Sequence, residues 1–198
     1  MAPEYDAIVL AGGTARRLGG ADKAALPVAG RALLDRVLDV VAGAGQIVVV
    51  GAERPVERPV RWTRESPAGA GPVAALGTGL ALSQATRVVV LACDLPLITT
   101  ATVQRLLTAL ERGASGTGAD AAMLVDPAAR RQPLLAVYDR AALAAALVDL
   151  GEPAGRSMRA LVAGLNVVEV AAVGNEALDC DTWVEVSRST LLLSEEGT

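Results

Sequence analysis

Two stretches of the chain are apolar without a break, Ile47-Val48-Val49-Val50 and Val88-Val89-Val90-Leu91. A strand with one wet face alternates apolar and polar residues, whereas an unbroken run marks a strand covered by helices on both faces, as in a mostly parallel sheet. With their flanks these runs predict strands over Gln46–Gly51 and Arg87–Ala92, and weaker ones follow at Tyr5–Leu10, Val60–Thr63, Asp120–Val125, Leu134–Tyr138 and Asn166–Val170. Helical spacing takes over at Ala32–Ala42, Pro72–Ser83, Thr100–Arg112, Arg140–Leu150 and Trp183–Leu192. Pro72 suits a first helical position, and Thr182 with Glu185 makes a capping box ahead of the last helix. Gly113–Gly118 reads as an exposed loop and Ser194–Thr198 as a disordered tail. Without repeats, linkers or a shift in composition, the alternation predicts one α/β domain over residues 1–198, doubly wound around a mostly parallel sheet.

Open α/β sheets bind ligands beyond the carboxyl ends of their strands. Three segments fall there: the loop after the first strand, Glu65 after the third, and Asp94 after the fourth. The first loop runs LAGGTARRLGGADK from Leu10 to Lys23. Glycines let backbone amides approach phosphate oxygens, and Arg16, Arg17 and Lys23 supply charge. Lys23 is the one lysine among 18 basic residues, and its ammonium is a compact point charge where arginine would be a planar fork. The loop lacks the GK[ST] ending of a Walker A motif, and its adjacent Gly12 and Gly13 do not make GxGxxG.

Composition narrows the chemistry. There is no histidine, which excludes Ser-His-Asp and Cys-His catalysis, His-ligated zinc and an imidazole base. The remaining catalytic groups are carboxylates, arginines, one lysine, hydroxyls and an oxygen-bound metal. Cys93 and Cys180 have no CxxC spacing and read as small buried residues with reduced thiols. A net charge of −4 and a pI near 4.9 argue against nucleic-acid binding and suit a small anionic ligand held by a locally basic loop. Hydrophobic residues make up 52% of the chain, yet aromatics only 2%, so the core must be aliphatic. No apolar run is long enough to span a bilayer and no secretory signal is evident; the expectation is a cytoplasmic protein without membrane contact.

Asp94 ends an apolar strand and is followed by Pro96, and a carboxylate there is costly unless it meets a cation or amide donors. It reads as an oxygen ligand for Mg²⁺ or as a cap of the following turn or helix, although Thr99 and Thr100 already serve as caps. Asp181 has two readings of equal standing: a second metal ligand, or an acid favoured by the amino end of the last helix. Glu65 beside Gly69–Gly71 reads as a solvated charge or as part of a base-binding loop. Arg130, Arg131, Arg156 and Arg159 form a second basic group, read as solvated surface or as the seat of an anionic second substrate.

Taken together, LAGGTARRLGGADK (10–23), LACDLPLIT (91–99) and ALDCDTW (177–183) resemble the nucleotidyltransferases that make molybdenum cofactor dinucleotides, the guanylyltransferases among them most closely. GPVAAL (71–76), RQPLLAVY (131–138) and GRSMRALV (155–162) extend the resemblance over nearly the whole chain. It implies a Rossmann-like nucleotidyltransferase fold. It implies guanine contacts at Leu10, Ala11 and Gly12, phosphate contacts at Lys23, and nucleotide and Mg²⁺ contacts at Asp94. Glu65 stands where the family usually has aspartate, and Gly51 where it often has asparagine. Gly12-Gly13 removes bulk where pyrimidine-using relatives often carry alanine before the second glycine, which favours a purine. Asp179-Cys180-Asp181-Thr182 replaces an asparagine-containing pattern, and aspartate there also occurs in cytidylyl relatives.

The implied reaction is transfer of GMP from GTP to the terminal phosphate of molybdopterin or its molybdenum form, with Mg²⁺ on Asp94 and Asp181. Its nucleophile is already an anion, so no general base is needed, and catalysis is positioning plus charge stabilisation by Lys23 with Arg16 or Arg17. Transient contact with molybdoenzymes or cofactor-insertion proteins is expected on the same ground. The alternatives are a cytidylyltransferase on the same cofactor, another nucleotidyltransferase with a phosphorylated small acceptor, and a non-catalytic nucleotide-binding module.

Overall fold

The computed structural model describes residues 4–12, 18–20 and 22–195. The expectations for Gly13, Arg16 and Arg17 therefore lie outside the described residues. The first strand, β1 (Asp6–Leu10), is buried along its whole length and leads by way of the glycine-rich loop into a short 3-10 turn at Lys23–Ala25. A small hairpin, β2 (Pro27–Val28) and β3 (Arg31–Ala32), then enters α1 (Leu33–Val40). The chain continues through β4 (Ile47–Val50), β5 (Arg61–Thr63), α2 (Pro72–Leu80), β6 (Arg87–Ala92) and α3 (Thr100–Gly116). It ends with β7 (Ala121–Val125), β8 (Arg131–Asp139), α4 (Arg140–Leu150), α5 (Met158–Leu161), β9 (Val167–Ala171) and α6 (Trp183–Glu195).

Seven strands form one sheet in the order β5-β4-β1-β6-β8-β7-β9. Neighbours among β5, β4, β1 and β6 are parallel, as are β7 and β9, while β8 is antiparallel to both β6 and β7. The alternating side chains of β1 serve two cores. Ala7 and Val9 pack with Leu34, Val37 and Leu38 of α1 and Val103, Leu106 and Leu107 of α3. Ile8 and Leu10 face Val73, Leu76 and Leu80 of α2, Leu143 of α4 and Met158 of α5. Helices thus cover both faces, which is why the strands read as unbroken apolar runs. A third, smaller cluster joins Leu18, Leu26, Val28 and Leu33 to Cys180 and to Val186 of α6, so the last helix rests on the hairpin beside the glycine-rich loop.

The chain leaves β1 for β4 and β5 and returns to β6 on the other side of β1. The crevice between the ends of β1 and β6, where Leu10 pairs in register with Ala92, is the switch point at which such sheets bind ligands. Two expectations at element ends need correction. Gly113–Gly118 is helical as far as Gly116, because Gly113 lets α3 approach Val168 of β9: a Cβ on it would lie 2.6 Å from Val168 Cγ2. Ser194 and Glu195 belong to α6, with Ser194 Oγ donating to the carbonyl of Thr190 at 2.8 Å. No helix among the described residues is long and apolar enough to cross a membrane.

Candidate active site

Lys23 opens the turn after the glycine-rich loop, with Ala24 buried behind it. Its Nζ lies between two carboxylates, 2.5 Å from Asp94 Oδ2 and in contact with Asp181 Oδ1. The side chains of Lys23 and Asp94 are 15% and 19% exposed, and that of Asp181 is 45% exposed, so the cluster is sheltered but opens to solvent on one side. Burial disfavours the ammonium, yet Asp94 and then Asp181 outweigh that cost and hold the lysine above its ordinary value, fully charged.

Local structure explains why these side chains converge. Thr99 caps α3 together with Thr102, which leaves Asp94 free of that duty and turned towards Lys23. Likewise Glu185 Oε2 accepts from the backbone amides of Asp181 and Thr182 at 2.9 and 2.7 Å, while the Glu185 amide donates to Thr182 Oγ1. The amino end of α6 is satisfied by the capping box, and the Asp181 carboxylate goes to Lys23. The segment carrying it is joined to the strand end through the amide of Cys180, which donates to the carbonyl of Asp94 at 3.0 Å.

Leu10 and Ala11 form the floor: the amide of Cys93 donates to the Leu10 carbonyl at 3.0 Å and that of Ala11 to Val50 at 2.9 Å. Among the described residues a Cβ on Gly12 would meet nothing within 4 Å, so packing against them does not require glycine there. Gly51 is different, since a Cβ would stand 2.9 Å from the Ala11 carbonyl oxygen. Glycine is needed at the end of β4 for β1 to turn past it. Glu65 does not join the cluster; its Oε1 accepts from the Gly69 amide at 2.8 Å and braces its own loop. That loop meets residues 151–157 where Gly155 donates to the Ala70 carbonyl at 2.8 Å.

Some contributors are not evident from sequence. Arg54, after β4, pairs with Asp22 and also donates from Nε and Nη2 to the Ala52 carbonyl, at 3.1 Å each. It fixes the residue just before Lys23, and only its sequence distance concealed it. Asp94, Asp179, Gln132, Pro133, Met158 and Ala177 help line a cavity of about 220 Å³ beside the lysine. The Asp179 carboxyl is pushed upward, first by loss of water and then by Asp181 and Asp94. The second basic group divides: Arg130 pairs with Asp126 and Arg131 with Glu169, whereas Arg156 and Arg159 are exposed. Both cysteines are free and buried, and burial, with Asp94 next, pushes the Cys93 thiol up to about 12. It is a packing residue, not a nucleophile.

The chain is similar to known proteins in sequence and fold. Residues 7–170 match the model of the MobA-like NTP transferase domain. A molybdenum cofactor guanylyltransferase of Shewanella loihica is 31% identical over 160 residues, covering 77% of this chain and 79% of the relative. Its counterpart from Shewanella frigidimarina is 33% identical over 117 residues, which span 57% of this chain and only 60% of that relative's length. Among solved structures, molybdopterin-guanine dinucleotide biosynthesis protein A from Archaeoglobus fulgidus superposes with a TM-score of 0.71 at 21% identity, over 96% of this chain and 99% of that one. That likeness establishes the α/β nucleotidyltransferase fold.

Proposed function

The chain belongs to the MobA-like NTP transferase family, and on that basis we propose that it transfers GMP from GTP to the terminal phosphate of molybdopterin or its molybdenum form. The observation that carries this reading is Lys23 held between Asp94 and Asp181 at the switch point of the sheet. Support comes from the relatives, which bear the name molybdenum cofactor guanylyltransferase.

In this reaction an oxygen of the acceptor phosphate forms a bond to the α-phosphorus of GTP. The bond from that phosphorus to the α,β-bridging oxygen breaks, and pyrophosphate departs with the electron pair. The attacking oxygen is already anionic, so no base is required, in keeping with a chain that has no histidine. Charge builds on the departing pyrophosphate, and in this reading the Lys23 ammonium neutralises it. Arg16 is proposed to add a second cation, and Gly13 to continue the side-chain-free backbone of Gly12. Leu10, Ala11 and Gly12 present backbone groups to the base; guanine over adenine then follows from backbone amides donating to its O6 and from its N2 amino group donating to a carboxylate, for which Glu65 keeps a second oxygen.

Mg²⁺ fits the donor set. Asp94 and Asp181 already share one cation, the lysine, and both offer hard oxygens. Among the described residues no group of three or more acidic, Cys or His side chains is arranged to hold a metal; Mg²⁺ would take these one or two carboxylates and complete its shell with phosphates and water. When bound it would supply Lewis-acid polarisation of the phosphate oxygens.

The test is competition. With equal GTP, CTP and ATP, molybdopterin and Mg²⁺, pyrophosphate release and product mass should report the guanine dinucleotide and depend on the acceptor. Preferential CTP use would move the protein to the cytidylyl branch, which Asp179 and Asp181 favour. GTP binding without turnover on any acceptor would make it a binding module.

A further inference from the structure

The segment that brings Asp181 to Lys23 starts far from it. β9 is the edge strand of the sheet, and residues 172–182 run from it past the ends of β7 and β8 to reach β6. They contain no helix or strand, so nothing periodic in their own backbone fixes their path. One side chain fixes their mid-point. Glu176 is 7% exposed, and its carboxylate accepts from Thr102 Oγ1 at 2.5 Å, from Arg105 Nη1 and Nη2 at 2.8 Å each, and from the amide of Val173 at 2.8 Å. Thr102 and Arg105 lie on α3, one turn apart and on one face.

A buried carboxylate is tolerated only when its oxygens are met by donors, and here four donors meet it. Three come from a helix whose Val103, Leu106 and Leu107 are packed into the core. The mid-point of the segment is thereby fixed to a rigid element, and its far end is fixed at Asp94 through the Cys180 amide. We propose that Glu176, with Arg105 and Thr102, is a positioning residue of the reaction. It holds residues 172–182 so that Asp181 stands opposite Asp94 across Lys23, while itself touching none of the three. The inference rests on the functional reading above and adds the group that sets its geometry.

A double-mutant cycle tests it, using the full chain with Glu176→Gln, Arg105→Ala, Asp181→Asn and the pair Glu176→Gln/Asp181→Asn. Glutamine keeps the size of the side chain but turns an NH2 towards the donors. Expected for Glu176→Gln and Arg105→Ala is a kcat lower by about ten- to a hundredfold, as for misplacement of a catalytic group by a fraction of an ångström. KM for GTP should stay within about twofold, because the glycine-rich loop is untouched. The double variant should be no slower than Asp181→Asn alone, since both remove the same contribution. Hydrogen exchange should rise in peptides covering 172–182. Unchanged kcat in folded Glu176→Gln, or losses that multiply in the double variant, overturns the proposal. If Glu176→Gln does not fold, Arg105→Gln with Asp181→Asn completes the same cycle. Wild-type turnover separates the two readings: if it makes no GMP transfer the functional reading fails, and exchange alone then decides whether Glu176 anchors the segment.

Discussion

Lys23 carries charge into a place where neither charge sign is stable alone. Without the ammonium, Asp94 and Asp181 would face each other; without either carboxylate, a partly buried cation would lose its compensation. Lys23→Ala should lower turnover by about two to three powers of ten, the usual loss on removing a transition-state charge partner. The fold should persist with a lowered thermal midpoint, because the cores are untouched but Asp94 and Asp181 lose their counter-charge. Lys23→Arg should recover little of the rate, since the planar fork does not fit between two carboxylates already spaced for an ammonium. Steady-state pyrophosphate release with thermal melts decides both, and near wild-type turnover in Lys23→Ala would remove the basis of the functional reading. Asp94→Asn should reduce Mg²⁺-dependent turnover by more than about tenfold, an amide being a poorer ligand for a hard cation. Titrating Mg²⁺ in the assay checks it, with partial recovery at high metal marking a ligand and none marking a structural role.

Elements fit here through close approach as much as through apolar pattern. Gly79 in α2 shows the conflict of local and tertiary terms. Alanine is the better helix former by about 0.8–1.0 kcal/mol, but its Cβ would lie 2.7 Å from Ile8 Cγ2 and 3.0 Å from Val50 Cγ2. Both neighbours are fully buried in the sheet, and overpacking costs about 1–3 kcal/mol. Gly79→Ala should therefore destabilise, by up to about 2 kcal/mol, while Gly116→Ala in α3, with nothing within 4 Å among the described residues, should be neutral or stabilising. Urea midpoints of the two variants test this directly. The same competition explains what the sequence conceals. Apolar runs and helical spacing locate the sheet, both helix layers, the cap at Thr182 and the loop ending at Lys23. They do not reveal that Gly113 lies inside a helix, because only the close approach of Val168 and Ala119 makes glycine useful there. Nor do they reveal the pairing of Arg54 with Asp22 or of Glu176 with Arg105, since surface charge and site charge look alike until the fold places them.

For the molecule as a whole, its carboxylates carry opposite signs of pH dependence. Asp6 accepts from Ser83, Gln84 and Ala85; burial opposes its charge, but these donors outweigh it and lower its value. Glu176 follows the same rule through Arg105 and Thr102. Their folded-state values lie below the unfolded ones, so their stabilisation is present above the ordinary carboxylate value and is lost as pH falls through the folded one. Asp179 is raised, so its charged form is penalised in the fold, and that penalty vanishes below the ordinary value of about 3.9. Asp179→Asn should then raise the thermal midpoint at about pH 7 and change it little near pH 3, as calorimetry at the two pH values would show. An equal gain at both would mean the effect is not electrostatic.

Lys23 and Asp181 are separated by 158 positions, and the chain is made from its amino end. A nascent chain that has completed β8 holds Lys23 and Asp94 with their strands, yet it lacks Asp181, the segment anchored by Glu176, and the helix that rests on Cys180. Contacts between such distant parts form late. A growing chain therefore carries the glycine-rich loop long before it carries the carboxylate that meets its lysine, and the cluster of Lys23, Asp94 and Asp181 is complete only once the segment through Asp181 has emerged.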